Sequence, residues 1–225
     1  NGPEKRLFLN GFIVMVIQSH GLSCVSISAK PVSGDVSVVL DPFDNSTGIR
    51  IPRTLAADVV FSSQKGPVHG NLAGVQGSPF AIDKPGEYEV KGMMFDTRLT
   101  SLKNGGEHMD LRLAAEGITV GFIGGLDRAP TNGELELLEG VDILILPVGG
   151  EAVMTPKEAV SAIQTIEPRI VIPVYTAEKG LKEKVGTMAA FQKELGPATS
   201  EETSKFKIVK KNLPADDMLL VLLKR

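Results

Sequence analysis

Cysteine, histidine and aromatic residues are scarce in this chain. One cysteine, three histidines, two tyrosines and no tryptophan are spread over 225 residues. The lone thiol, Cys24, excludes an internal disulfide framework and a thiolate zinc cluster, and it fits a reducing compartment, so the expected location is the cytoplasm. Charge of one sign is lacking too. The 24 basic and 27 acidic residues are scattered, leave a net charge of -3, and form no basic block that could pair with a run of phosphates. Nucleic acid is therefore not an expected partner. Outside the N-terminus no apolar run approaches the roughly 20 residues needed to cross a bilayer, and no membrane association is expected.

What is present reads as an ordinary globular chain, long enough to bury a sizeable core. Lys5 and Arg6 precede an apolar stretch from Leu7 to Ile17 that imitates a secretory leader. Asn10-Gly11 interrupts it, however, and no small-x-small cleavage pattern follows in Gln18 to Gly21. The expectation is an N-terminal extension over 1–14 and a single domain over 15–225.

Short β signals separated by turn residues fill the first half: Met15 to Gln18, Ser23 to Ser28, Val36 to Leu40, Asp58 to Phe61, Phe80 to Asp83 and Tyr88 to Val90. Their spacing predicts a meandering, mostly antiparallel sheet. Further strands are expected over Leu111 to Ala114 and Thr119 to Ile123, with a helix over Thr131 to Glu139. The unbroken apolar run Val141 to Pro147 predicts a strand buried on both faces. Thr155 as cap, Pro156 in the first turn and Glu158 three residues after the cap announce a helix, along which Ala159, Val160, Ile163 and Ile166 recur at helical spacing. Ile170 to Val174 predicts another buried strand and Glu183 to Glu194 another helix. Lys205 to Lys210 and Met218 to Leu223 read as closing strands. Meanders followed by strand–helix units imply an α/β fold of two sheets packed face to face with helices outside.

Several separated segments resemble one family, the metallo-β-lactamase superfamily in its lactonase-like, zinc-dependent hydrolase branch. They are Gly21-Leu22-Ser23-Cys24-Val25, Val39-Leu40-Asp41-Pro42-Phe43, Ala57 to Ser63, Pro85-Gly86-Glu87-Tyr88-Glu89-Val90, Val141 to Gly150, and Glu167 to Pro173. The resemblance implies a four-layer αββα sandwich. It also implies a loop of pattern His-x-His-x-Asp-His after Ser63, whose side chains would surround one or two zinc ions that activate water. In this chain those positions hold Gln64, Gly66, Val68 and His69. The later bridging carboxylate falls on Gly125, and the final histidine on Tyr175.

Glycine and valine side chains carry no donor, and three histidines in the whole chain are too few for the family's two-zinc site. A structural zinc site is worth about 10–16 kcal/mol, of which one imidazole retains about a quarter at most. The expectation is thus no cofactor and no family-type metal site. The chain is read as a non-catalytic, metal-free subunit for binding or assembly, in a homo-oligomer or with a protein partner. Two alternatives stand beside it. One is a hydrolase with a relocated site drawn from His69, Asp127 and Tyr175. The other is a sensor of a small anionic ligand held by Lys65, Tyr175 and the Gly149-Gly150 loop before Thr155-Pro156, with Lys91 adding positive charge.

The remaining candidates have plain readings. Cys24, among Val25 and Ile27, reads as a small buried apolar residue. His20 reads as structural, and His108, next to Gly105-Gly106, as a solvated hairpin-tip residue. Asp41, at a buried strand end, is expected to serve backbone hydrogen bonding. In the family the resemblance implies, that carboxylate buttresses the metal loop.

Overall fold

A computed structural model describes residues 14–31 and 33–225. Lys5, Arg6 and the first part of the apolar stretch, like Val32, lie outside the described residues. β1 (Met15–Gly21), β2 (Cys24–Ala29), β3 (Val36–Leu40), β4 (Val59–Phe61) and β5 (Phe80–Ile82) belong to one sheet. β6 (Gly86–Val90), β7 (Met93–Ser101), β8 (Glu107–Ala115) and β9 (Ile118–Phe122) open the other. α1 (Asn132–Leu138), β10 (Ile143–Pro147), α2 (Pro156–Ile166), β11 (Ile170–Val174), α3 (Met188–Leu195), β12 (Thr199–Thr203), β13 (Phe206–Ile208) and β14 (Leu219–Leu223) follow.

The six-stranded sheet runs β13-β1-β2-β3-β4-β5 and the eight-stranded sheet β12-β14-β11-β10-β9-β8-β7-β6. β1 to β3 are antiparallel as the turn spacing implies, but β3, β4 and β5 are mutually parallel. The long segments between those strands allow the chain to return to the same end of the sheet. On the other sheet β6 to β9 form the antiparallel meander.

Period-2 patterning decides which way each strand faces. Val38, Leu40, Phe61 and Ile17 from one sheet meet Leu111, Phe122, Ile143, Ile145 and Ile172 from the other in the central core. Alternate residues of the second sheet, Leu144, Leu146, Val171 and Leu220, face Ala159, Ile163 and Phe191 of the helices. Phe61 and Phe122 make an edge-to-face pair across the sandwich, centroids 5.9 Å apart. On the outer face of the six-stranded sheet, Leu22, Cys24, Val39, Phe43 and Val60 are covered by loop residues, among them Ile49, Val75, Val153 and Tyr175. The helical elements described there are short 3-10 turns, Asn45–Thr47 and Leu72–Gly74, while α1 to α3 pack on the side of the eight-stranded sheet.

Two strands lie where the sequence predicts none, and one helix begins later than expected. β7 pairs along its whole length with β8 and was not foreseen. β12 is an edge strand exposed along nearly all its length. α3 starts at Met188, capped by the Thr187 side chain, instead of at Glu183. No helix among the described residues is long and apolar enough to cross a membrane.

Candidate functional site

The carboxyl ends of β3, β4, β9 and β11 come together at one edge of the sandwich, with the start of β8 beside them. Strand ends of this kind are where α/β sheets collect functional side chains. Asp41 follows β3 with a left-handed φ of 44°, a conformation that aspartate tolerates better than most residues. Its fully buried carboxylate accepts hydrogen bonds from the Ser63 N–H at 2.6 Å, the Ser63 hydroxyl at 2.6 Å and His69 Nδ1 at 2.8 Å. The sequence expectation for Asp41 gave it backbone bonding. The structure adds the imidazole of His69.

Because a carboxylate only accepts, the Asp41 bond identifies His69 Nδ1 as the protonated nitrogen and turns Nε2 the other way. Nε2 faces Gly125. A Cβ built on Gly125 would stand 2.5 Å from His69 Cε1 and 2.8 Å from Gln64 Nε2, and closer still to His69 Nε2. The other face of the ring stacks on Tyr175, with centroids 5.7 Å apart and planes at 18°. Tyr175 is itself buried and donates its hydroxyl proton to Glu183. Burial, with the adjacent Glu183 carboxylate, pushes the phenol far above its ordinary range, so it stays a neutral donor.

Sequence reasoning missed half of the site. His108 does not lie on a solvated hairpin tip. The tip is Leu102 to Gly106, closed by backbone bonds, and His108 is already in β8, fully buried and facing away from the central core. Its Nε2 lies 3.1 Å from Asp110 Oδ1 and its Nδ1 3.2 Å from the Gln64 amide nitrogen, which also donates to the Gly125 carbonyl at 2.8 Å. The i, i+2 spacing of His108 and Asp110 on a strand was the available signal, since it puts both on one face. Burial raises the Asp110 carboxyl above the ordinary aspartate value despite the His108 bond, and its Oδ2 has no partner among the described residues.

Other sequence candidates are dispersed. Asp127 accepts the Lys103 N–H at 3.0 Å on the hairpin and forms no hydrogen bond or ion pair with His69. Lys65 is almost fully exposed and lies 3.6 Å from Glu107. Lys91 pairs with Asp58 at the opposite end of the sheet, where β4 begins, so it brings no charge to the site. The Gly149-Gly150 loop is closed by backbone bonds from Gly186 to Gly149 and from Gly150 to Met154. At the start of α2 the Glu158 N–H donates to the Thr155 hydroxyl and the Thr155 N–H to the Glu158 carboxylate, a capping box that occupies two of the amides there. His20 bonds Ser26 at 2.9 Å. Cys24 is fully buried, and that burial pushes its thiol well above the usual range, which suits the apolar role.

The beta-lactamase superfamily domain matches residues 16–175. The chain belongs to the metallo-β-lactamase superfamily. A metal-dependent hydrolase of Thermococcus kodakarensis is 26% identical over 185 residues, covering 76% of this chain and 77% of the relative. Among solved structures, one assigned to the zinc-dependent hydrolases of the superfamily, from Thermotoga maritima, superposes with a TM-score of 0.75 at 26% identity. It covers 94% of this chain and all of that one. Igni18, a metallo hydrolase of Ignicoccus hospitalis, superposes at a TM-score of 0.60 with 14% identity over 81% of this chain and 90% of its own, a likeness of fold.

Membership implies a metal, and the side chains at this edge do not fit one. Gly66 and Gly125 bring no donor, and Val68 packs against the apolar cluster under the loops. Tyr175 is committed to Glu183, and Gln64 to Gly125 and His108. The direction from which a residue-125 carboxylate would approach is filled by the His69 ring. Among the described residues, no three His, Cys, Asp or Glu side chains converge as a donor set. This is the opposite of the open, oxygen- and nitrogen-lined position that a catalytic zinc requires.

Proposed function

We propose that this chain is a metal-free, non-catalytic member of the superfamily that works as a binding or assembly subunit. One relationship carries the reading: His69 survives at the family's ligand positions, but its Nε2 is directed at Gly125 and its ring is stacked on Tyr175. Water activation by the family's chemistry needs a cation with several protein donors and an open coordination position. Here the neighbouring positions offer an amide, two glycines, a valine and a buried phenol. The surfaces left to a partner lie outside the filled cleft, on the sheet edges.

A second reading is favoured by the relatives, which carry hydrolase names. It is a hydrolase with an atypical site. His69 with Asp41 has the geometry of an oriented base, but a base also needs a reachable substrate proton, and His69 is only 6% exposed. The experiment that separates the two is an ester, lactone and phosphodiester panel, run with and without added zinc or manganese, on the wild type and His69→Ala. The proposal expects both proteins to remain at the uncatalysed rate. Turnover by the wild type that is abolished in His69→Ala contradicts it.

A further inference from the structure

Three segments from two different sheets must be held together at this edge: the loop leaving β4, the start of β8 and the end of β9. The backbone supplies one tie, from the Met109 N–H to the Ser63 carbonyl at 2.8 Å. Gln64 supplies two more from a single amide nitrogen, to Gly125 O at 2.8 Å and His108 Nδ1 at 3.2 Å.

The chemistry of the acceptors fixes the direction of every proton. A carbonyl oxygen accepts only, so the group facing Gly125 is the NH2 end of the amide. Its second proton then points at His108 Nδ1, which must be the unprotonated nitrogen. His108 Nε2–H is left to donate to Asp110 Oδ1. Ring and amide orientations that cannot be read separately are thus determined together.

We propose that Gln64 replaces a metal ion as the tie between the two sheets, its amide joining the β4 loop to β8 and β9 through the Gln64–His108–Asp110 chain. Metal binding free energy is folding free energy in sites that a cation assembles. A chain that has lost its cation needs another convergent group there, and the amide with two donors is that group. The inference rests on the metal-free reading above and adds to it the residue that maintains the fold of the edge.

The test compares thermal unfolding of wild type, Gln64→Leu and Gln64→Glu at neutral pH, with EDTA and with added zinc. Losing donors to two buried acceptors is expected to lower Tm by about 3–8 °C in both variants. Gln64→Glu recovers part of the loss near pH 4.5, where its carboxyl takes up a proton and donates again, and Gln64→Leu does not. Wild-type Tm is expected to be the same in EDTA and in zinc. Gln64→Leu as stable as the wild type, with that metal indifference intact, overturns the tie alone. A wild type weakened by EDTA or raised by zinc overturns the metal-free reading and the tie with it. Nitrogen-15 NMR of the wild type needs no variant that folds: an unprotonated His108 Nδ1 is expected, and a protonated one contradicts the chain.

Discussion

The imidazole of His69 lies in the space that any side chain on Gly125 would need. The two residues come from opposite sheets, one on the loop after β4 and the other at the end of β9, and their closeness explains the glycine. Gly125 has no positive φ that would call for glycine. What calls for it is the ring against its Cα.

Gly125→Ala is accordingly expected to destabilise the fold by overpacking, by about 1–3 kcal/mol. Urea unfolding of the variant checks this. A stability equal to the wild type would mean that the ring is free to move away and the cleft can reopen.

Asp41 holds Ser63 and His69 from a fully buried position. Asp41→Ala leaves three buried donors unserved and places alanine at a left-handed φ, and the expected loss is about 3–5 kcal/mol. The measurement is the denaturation midpoint at constant slope. On the metal-free reading proposed above, the effect should not depend on added metal, because the Asp41 carboxylate braces the His69 imidazole.

The acid limb of stability is expected to belong largely to Glu134 in the first turn of α1. Burial alone would raise its carboxyl, but donors from Arg128, the Thr131 N–H and Thr100 outweigh burial and hold it at about 2 against an ordinary 4.5. The folded value lies below the unfolded one, so this contribution is fully present above about pH 4.5 and is lost as pH falls toward 2. Its size is about 2–3 kcal/mol. Asp110 runs the other way, since its raised carboxyl makes the protonated form the better folded one. Glu134→Gln should flatten the loss of stability between pH 5 and 2.5. An unchanged acid limb would assign it to other carboxylates.

Much of the fold was legible because its strands follow simple patterns. Ile143–Pro147 and Ile170–Val174 are uninterrupted apolar segments, and Thr155-Pro156 with Glu158 announces α2 at the residue where it begins. β7 was not legible, since it puts Thr97 on the buried face and Met94 on the exposed one, which defeats the alternation. β12 carries no apolar residue and is held by its backbone ladder to β14. The expected start of α3 at Glu183 failed because Glu183 is drawn to Tyr175, and the chain stays irregular until Thr187 can cap.

For the site, one half followed from ligand chemistry and the other from geometry that no local pattern contains. Gln64, Gly66, Val68, Gly125 and Tyr175 were recognisable by position in the resemblance. The burial of His108 and its bond to Gln64, 44 residues away, depend on how two sheets meet. The grouping of Asp127 with His69 failed for the same reason, because the loop turns Asp127 toward Lys103.

The central claim is that the family's metal has no place here. Mass-spectrometric metal analysis of protein purified without chelator, followed by titration with zinc in a competing buffer, tests it most directly. Metal well below one equivalent and no saturable zinc uptake involving His69 is the expected result. Stoichiometric zinc, manganese or iron that is lost in His69→Ala would contradict the account.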